Sequence, residues 1–216
     1  MNRIVITGTD TEIGKTTFSA ALMLGLEAAG LKPHYWKPVQ SGITDGTDTR
    51  TVQTLTELPD ERFLPEHYVF NQPLSPHRAA EMDGAKIDMD NLCDPTNMPV
   101  CDGTLIIEGA GGLMVPLTRN NLQVDLYKEW QIPVVLCART GLGTINHTLL
   151  SIEALKSRGI PLKGLVFIGD ENPNNTETIA AFSKAEVLGI MPELEQLTRN
   201  NLTRVFATQF NPQDYI

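Results

Sequence analysis

Basic residues are in short supply in this 216-residue chain: 17 Lys and Arg stand against 26 Asp and Glu, a formal net charge of −9. A general affinity for nucleic-acid backbones or anionic lipid needs clustered cations, so neither nucleic acid nor a membrane is an expected partner. One local phosphate site remains open, because a few cations and backbone amides suffice to build it. Cysteine is scarce too. Cys93, Cys101 and Cys137 are odd in number and lack CxxC or Cys/His spacing, which excludes a disulfide framework and a zinc site. Mostly buried thiols in a reducing cytosol are expected. No apolar run approaches the roughly 20 residues of a membrane span, and a strand-like run begins almost at the N-terminus. A soluble, cytoplasmic, non-secreted protein is therefore expected. Ser- or Gly-rich linkers, charge blocks and repeats are also missing, so residues 1–216 read as a single domain.

What is present alternates between two periods. Arg3 to Thr7 (RIVIT) is a β-branched run of the kind found in buried strands. Beyond Lys15, the residues Phe18, Ala21, Leu22, Gly25, Leu26 and Ala29 share one helical face, with Gly30 as the stop. Further strands are expected at 34–39, at 104–107 ending on Glu108, at 134–137 and at 164–168. A helix is expected from Asn146 to Lys156, and a short apolar helix within the last 20 or so residues. Residues 41–99, broken by Gly, Asp and Pro, read only as loops and short helices. Apolar strands alternating with helices define an α/β fold: a doubly wound, mostly parallel sheet with helices on both faces. Ligands of such sheets sit beyond the carboxyl ends of the strands, so the polar residues there belong together.

The strongest chemical signal follows the first strand: Gly8-Thr9-Asp10-Thr11-Glu12-Ile13-Gly14-Lys15-Thr16-Thr17, opening a helix. Backbone N–H groups around Gly14 to Thr17 can face a phosphate at the helix start. Lys15 can reach β- and γ-phosphates, and the Thr16 hydroxyl can ligate Mg²⁺. Five residues separate Gly8 from Gly14 where the common P-loop has four. Lys37, in Lys37-Pro38-Val39-Gln40-Ser41-Gly42, supplies a second cation for a phosphoryl group or an anionic substrate, or else is a solvated surface lysine. Asp48 follows in a loop where Asp45 competes for any role. Glu108, before Gly109-Ala110-Gly111-Gly112, is a strand-end carboxylate suited to Mg²⁺, with glycines that permit close backbone approach. Thr144 to His147 open the later helix, where Asn146 either helps bind a carboxylate or merely caps. His77, in Ser75-Pro76-His77, and both tryptophans, Trp36 and Trp130, read as structural.

In order and approximate spacing, GTDTEIGKT (8–16), KPVQSG (37–42), Asp48, SPH (75–77), EGAGG (108–112) and INH (145–147) resemble the dethiobiotin synthetase family. That resemblance also explains the extra residue between the first two glycines. It implies an ATP-dependent P-loop ligase and homodimer. The implied reaction joins 7,8-diaminononanoate with CO₂ (as bicarbonate) and ATP, giving dethiobiotin, ADP and phosphate through a carbamate and a carbamic–phosphoric anhydride. It implies Lys15 and Lys37 as catalytic cations, and Mg²⁺ held by Thr16, Asp48 and Glu108. Glu12, Ile13, Gly14, Lys15, Thr16 and Thr17 would wrap the nucleotide, with Gly109, Ala110 and Gly111 close to it. Thr11 and Ser41 would bond the carbamate or phosphate, and Asn146 would receive the substrate carboxylate across the dimer interface. The family often places Asn after the fifth strand to read adenine. Here Gly169 stands there, and Pro192-Glu193-Leu194 form the later base-side loop, so the purine contact is shifted or made by backbone groups.

Two rival classes exist. A related amidoligase usually carries a fused glutamine-hydrolysing domain, for which 216 residues are too few. A non-catalytic P-loop nucleotide switch typically has an extra lysine early in the loop, where this chain has Asp10.

Overall fold

The computed structural model describes residues 2–216. In chain order the elements are β1 (Asn2–Gly8), α1 (Lys15–Ala28), β2 (Pro33–Trp36), β3 (Val39–Ser41), α2 (Asp48–Thr56), β4 (Phe63–Leu64), β5 (Tyr68–Phe70), α3 (Pro76–Met82) and α4 (Met89–Cys93). They continue with β6 (Thr104–Gly112), α5 (Gln123–Trp130), β7 (Val134–Arg139), α6 (Thr144–Lys156), β8 (Leu162–Ile168), α7 (Pro173–Ser183), β9 (Val187–Met191) and α8 (Arg199–Gln209). Seven strands form one sheet in the order β4-β2-β6-β1-β7-β8-β9, with every registered pair parallel. β3 and β5 form a separate parallel pair.

Alternation along the strands divides the core between the two sheet faces. Ile4, Ile6, Ile106, Val135 and Val166 pack with α1 and α8, whereas Val5, Leu105, Ile107, Val134, Leu136 and Phe167 pack with α5, α6 and α7. Helices therefore cover both faces, as a parallel sheet requires. Ile4, Val5 and Ile6 are essentially inaccessible, and burying each such side chain contributes about 1.5–3 kcal/mol. Trp36 and Trp130 pack in a tilted pair within the core with ring centres 6.0 Å apart, a packing role. Among the described residues, no helix is long and apolar enough to cross a membrane.

Five strands are anticipated by periodicity; the main sheet has seven, and several boundaries move for physical reasons. The strand expected at 34–39 is split into β2 and β3 by Lys37-Pro38, because Pro38 has no N–H to give a ladder. Its carbonyl instead receives the N–H groups of His67 and Tyr68, both at 2.9 Å. Glu108 lies within β6, not at its end: the strand runs on to Gly112, which pairs with Gly8 after a register shift. α6 starts at Thr144, two residues before Asn146, behind Gly143 in a left-handed conformation. α1 stops as expected, with Gly30 at φ 74° and the Leu31 N–H returning to the Leu26 carbonyl at 3.0 Å. Of the three thiols only Cys137 is fully buried; Cys93 and Cys101 are half-buried.

Candidate active site

β1 lies at the centre of the sheet, between β6 and β7, and the loop after it faces the carboxyl ends of both. Backbone conformation makes that loop a cradle. Glu12 and Gly14 both have positive φ, at 54° and 95°, so the chain curls before α1 begins at Lys15. At Gly14 a side chain is also excluded by space, since a Cβ would come within 2.9 Å of Ile168. Arg139, from the end of β7, donates to the Glu12 carbonyl at 3.2 Å and braces the outer rim. The Lys15 ammonium folds back onto the Asp10 carbonyl at 2.8 Å. Burial pulls its pKa below the ordinary lysine value, against the opposing attraction of Glu108.

Lys37 lies just past the end of β2, and its ammonium reaches Glu108 on the neighbouring strand β6. Only 4% of it is exposed, and its ammonium pairs with Asp48 and, at 3.1 Å, with Glu108. Burial disfavours the charge, but Glu108 and then Asp48 outweigh that, so its pKa is raised and the lysine stays protonated. The Thr16 hydroxyl lies 2.8 Å from Glu108 Oε1 and 3.3 Å from Asp48 Oδ1. α1, β6 and the start of α2 thus bring three oxygen-bearing side chains to one point, with two lysines close by.

These groups open onto a cavity of about 810 Å³. Thr11, Glu12, Ile13, Lys15, Thr17 and Ser41 line it, together with Gly14, Thr16, Lys37, Asp48, Glu108, Ala110 and Gly111. Ser41 is notable because its hydroxyl is buried with no hydrogen-bond partner among the described residues. Asp45 also borders the cavity but is exposed and has no contact with Lys37, whereas Asp48 pairs with it.

Other residues singled out in the sequence stand apart from this cavity. Gly109 backs its wall, where a Cβ would overlap the Tyr127 hydroxyl. Asn146 is exposed in the first turn of α6. Gly169 and Pro192-Glu193-Leu194 follow β8 and β9, on the side of the P-loop where Ile168 meets Gly14. Gly169 donates to the Met191 carbonyl at 2.9 Å, tying those two strand ends together. Asn175, downstream of the expected asparagine position, gives its amide to the Thr140 carbonyl at 2.8 Å.

The oxygen set suits Mg²⁺, a hard cation that takes one or two carboxylates and keeps several waters. Thr16 already touches both Asp48 and Glu108, so one ion replacing that hydroxyl's proton contacts could reach all three. Among the described residues no group of three or more His, Cys, Asp or Glu side chains forms a metal cage. A site of two carboxylates and a hydroxyl is of the kind completed by water and substrate phosphate.

Three buried polar residues behind this layer have no counterpart in the sequence reading, Ser19, Gln123 and Tyr127, and Gln40, quoted there only as part of the Lys37–Gly42 motif, lines the cavity. Ser19 donates to Glu108 Oε2 at 2.7 Å, and the Gln40 side-chain oxygen accepts the Asp48 N–H at 3.1 Å. Tyr127 bonds Thr7 at 3.2 Å and, with Gln123, props the backbone at Ala110 once the Gln123 amide is turned to match its neighbours. Ser19 falls on the same helix face as Thr16, three residues on, which is the one signal that could have marked it.

A parallel sheet whose central strand runs through a curled glycine loop into a Lys-Thr helix start, with an acidic residue opposite, is the architecture of P-loop nucleotide-binding proteins. In agreement, a family model described as an AAA domain matches residues 2–201. The MinD septum-site-determining protein of Pyrococcus horikoshii OT3, solved with Mg-ADP, superposes with a TM-score of 0.60 at 12% identity, covering 94% of this chain and 93% of that one. A likeness at that identity shows the fold alone. Sequence relatives narrow the class. An ATP-dependent dethiobiotin synthetase BioD of Rhodopseudomonas palustris (strain BisB18) is 51% identical over 99% of this chain and 98% of its own length. The enzyme of that name from Agrobacterium fabrum is 51% identical over 99% of this chain and 97% of its own. The chain belongs to the ATP-dependent dethiobiotin synthetase family.

Proposed function

We propose that this protein is a single-domain, cytoplasmic, Mg²⁺-dependent ligase that carboxylates 7,8-diaminononanoate with CO₂ and closes the ring at the expense of ATP. Dethiobiotin, ADP and phosphate are the products. One observation carries the reading: the protonated Lys37, held between Asp48 and Glu108, faces the same cavity as the phosphate cradle and Lys15.

The first two of three chemical steps place negative charge on carbamate and phosphoryl oxygens in that cavity. An amine of the substrate adds to CO₂ and loses a proton, giving a carbamate. A carbamate oxygen then attacks the γ-phosphorus and ADP leaves. The second amine attacks the carbamate carbon, expels phosphate and loses its proton as the ring closes. Lys37 and Lys15 lie where carbamate and phosphoryl oxygens would share the space, and fixed cations in a partly dry site stabilise such charge without reorganising. Ser41 offers its unpartnered hydroxyl, and Thr11 lies across the cavity, so both can orient the carbamate. Thr16, Asp48 and Glu108 would hold Mg²⁺, which supplies charge neutralisation for the transferring phosphoryl group. Glu12 to Thr17 would wrap the phosphates, with Ala110 and Gly111 opposite and Gly109 buttressing the wall. The base would lie toward Gly169 and Pro192-Glu193-Leu194.

Asn146 is exposed and not among the residues lining this cavity, and in a homodimer a second copy's α6 start would receive the substrate carboxylate. Exposed apolar side chains nearby, Leu142 and Leu150, give such a contact something to cover.

The test is ADP release measured with each component omitted in turn. Turnover that requires diamine, bicarbonate and Mg²⁺ together supports the ligase. Steady ATP hydrolysis without the diamine would instead favour a nucleotide switch.

A further inference from the structure

The Glu108 carboxylate, and the backbone that carries the Asp48 carboxylate, are each held by a residue from a different element. We infer that Ser19 and Gln40 are positioning residues: Ser19 orients Glu108, and Gln40 orients Asp48. The inference rests on the metal-binding reading of Thr16, Asp48 and Glu108.

Glu108 is almost fully buried and has two distinct oxygens. Oε1 receives Thr16 and Lys37, on the cavity side. Oε2 points the other way and accepts the Ser19 hydroxyl at 2.7 Å, with both groups buried. A carboxylate fixed at one oxygen cannot swing about its last torsion, so the other oxygen is presented in one orientation. Ser19 sits on α1 three residues after Thr16, so one helix face sets the hydroxyl meant for the metal and the hydroxyl that aims its carboxylate partner.

Asp48 needs a different device because it begins α2 at the end of a loop. Gln40, 5% exposed, reaches across that loop from β3. Its amide nitrogen donates to the carbonyls of Ser41 and Gly42, at 3.2 and 3.0 Å, while its oxygen accepts the Asp48 N–H at 3.1 Å. One side chain thereby closes residues 41–48 into a fixed wall of the cavity. The same contacts tie the backbone at Ser41 and Gly42 to the backbone at Asp48.

The experiment is Mn²⁺ binding to the ADP complex, followed by electron paramagnetic resonance, for wild type, Ser19→Ala, Ser19→Cys, Gln40→Ala and Glu108→Gln. Ser19→Cys keeps the volume but supplies only a weak donor, so it serves if the alanine variant folds poorly. Removing such outer partners weakens metal affinity by about 10–100-fold. The expected result is at least a tenfold weaker Mn²⁺ affinity in the Ser19 and Gln40 variants, with metal-free ADP affinity unchanged. A merely structural role would lower the thermal midpoint and leave Mn²⁺ affinity where it is, and that outcome in folded variants overturns the inference. If wild type and Glu108→Gln bind Mn²⁺ alike, the metal-site reading itself has failed, a result distinct from failure of the positioning role alone.

Discussion

Replacing Lys37 by Met would leave Asp48 and Glu108 facing each other across the space its ammonium now fills. Glu108 is buried and cannot recover solvent, whereas Asp48 keeps about a third of its side chain exposed. Removing one partner of a buried charge cluster costs about 3–5 kcal/mol, and the partial exposure of Asp48 places this case near the lower end. Because the folded-state pKa of Lys37 is raised, its contribution is fully present below the ordinary lysine value of 10.5 and fades only as pH rises past it. An assay near neutral pH therefore sees all of it. For a chain of this length about 3 kcal/mol corresponds to a melting midpoint roughly 6–12 °C lower. Mg-ADP should then rescue the variant disproportionately, because a divalent ion between the two carboxylates replaces the lost charge, and binding to the folded state alone adds stability. The measurement is thermal unfolding in EDTA and in saturating Mg-ADP. A variant within a degree or two of wild type in EDTA would refute the argument, as would equal gains from Mg-ADP in both proteins.

Two further expectations concern other parts of the molecule. Gly25→Ala improves the helix propensity of α1 by about 1 kcal/mol but drives a Cβ into the Phe206 ring of α8; overpacking of that kind costs about 1–3 kcal/mol, so denaturant unfolding should show a net loss of stability. Glu81 takes a bidentate pair from Arg119, at 2.6 and 2.7 Å, and this bond, then that from Arg78, holds its pKa down at about 2 from 4.5. Since the folded pKa is the lower one, the pair's stabilisation is present above pH 4.5 and is lost as pH falls toward 2. Wild type should thus out-melt Glu81→Gln at pH 6 by a salt-sensitive margin that shrinks through that window.

How much of this was legible in the sequence depended on how local the cause was. The β1 strand, the P-loop and α1 follow from a β-branched run, a glycine curl and a 3.6-residue period, all within 30 neighbouring residues. Lys37 and Glu108 stood out because each comes at or near a strand's carboxyl end, where a parallel sheet gathers its ligands. What that rule could not supply was their mutual contact, which needs β2 and β6 to be neighbours although 67 residues lie between Trp36 and Thr104. β4 and β5 have two and three residues each and exist only by pairing with β2 and β3, so no periodicity announces them. β9 was obscured by Gly189, a residue that weakens a strand signal, yet a Cβ there would overlap the Gln209 carbonyl at the end of α8. Ser19 escaped notice, and Gln40 was quoted in its motif without a role, for a related reason: a serine in a helix and a glutamine in a strand look ordinary until their partners, fixed by tertiary structure, are in place. Gly169 and Pro192-Glu193-Leu194 rest on family likeness, and Asn146 on likeness and its helix-start position, since none of them lines the cavity.

The central claim is tested most directly by incubating the protein with Mg-ATP, ¹³C-bicarbonate and 7,8-diaminononanoate and analysing the products by mass spectrometry, with Lys37→Ala in parallel. Dethiobiotin carrying one ¹³C from wild type, lost or reduced at least a hundredfold in the variant as expected for removal of a charge-stabilising group, is the predicted result. Binding of Mg-ATP with no labelled ring from the wild-type protein would contradict the account.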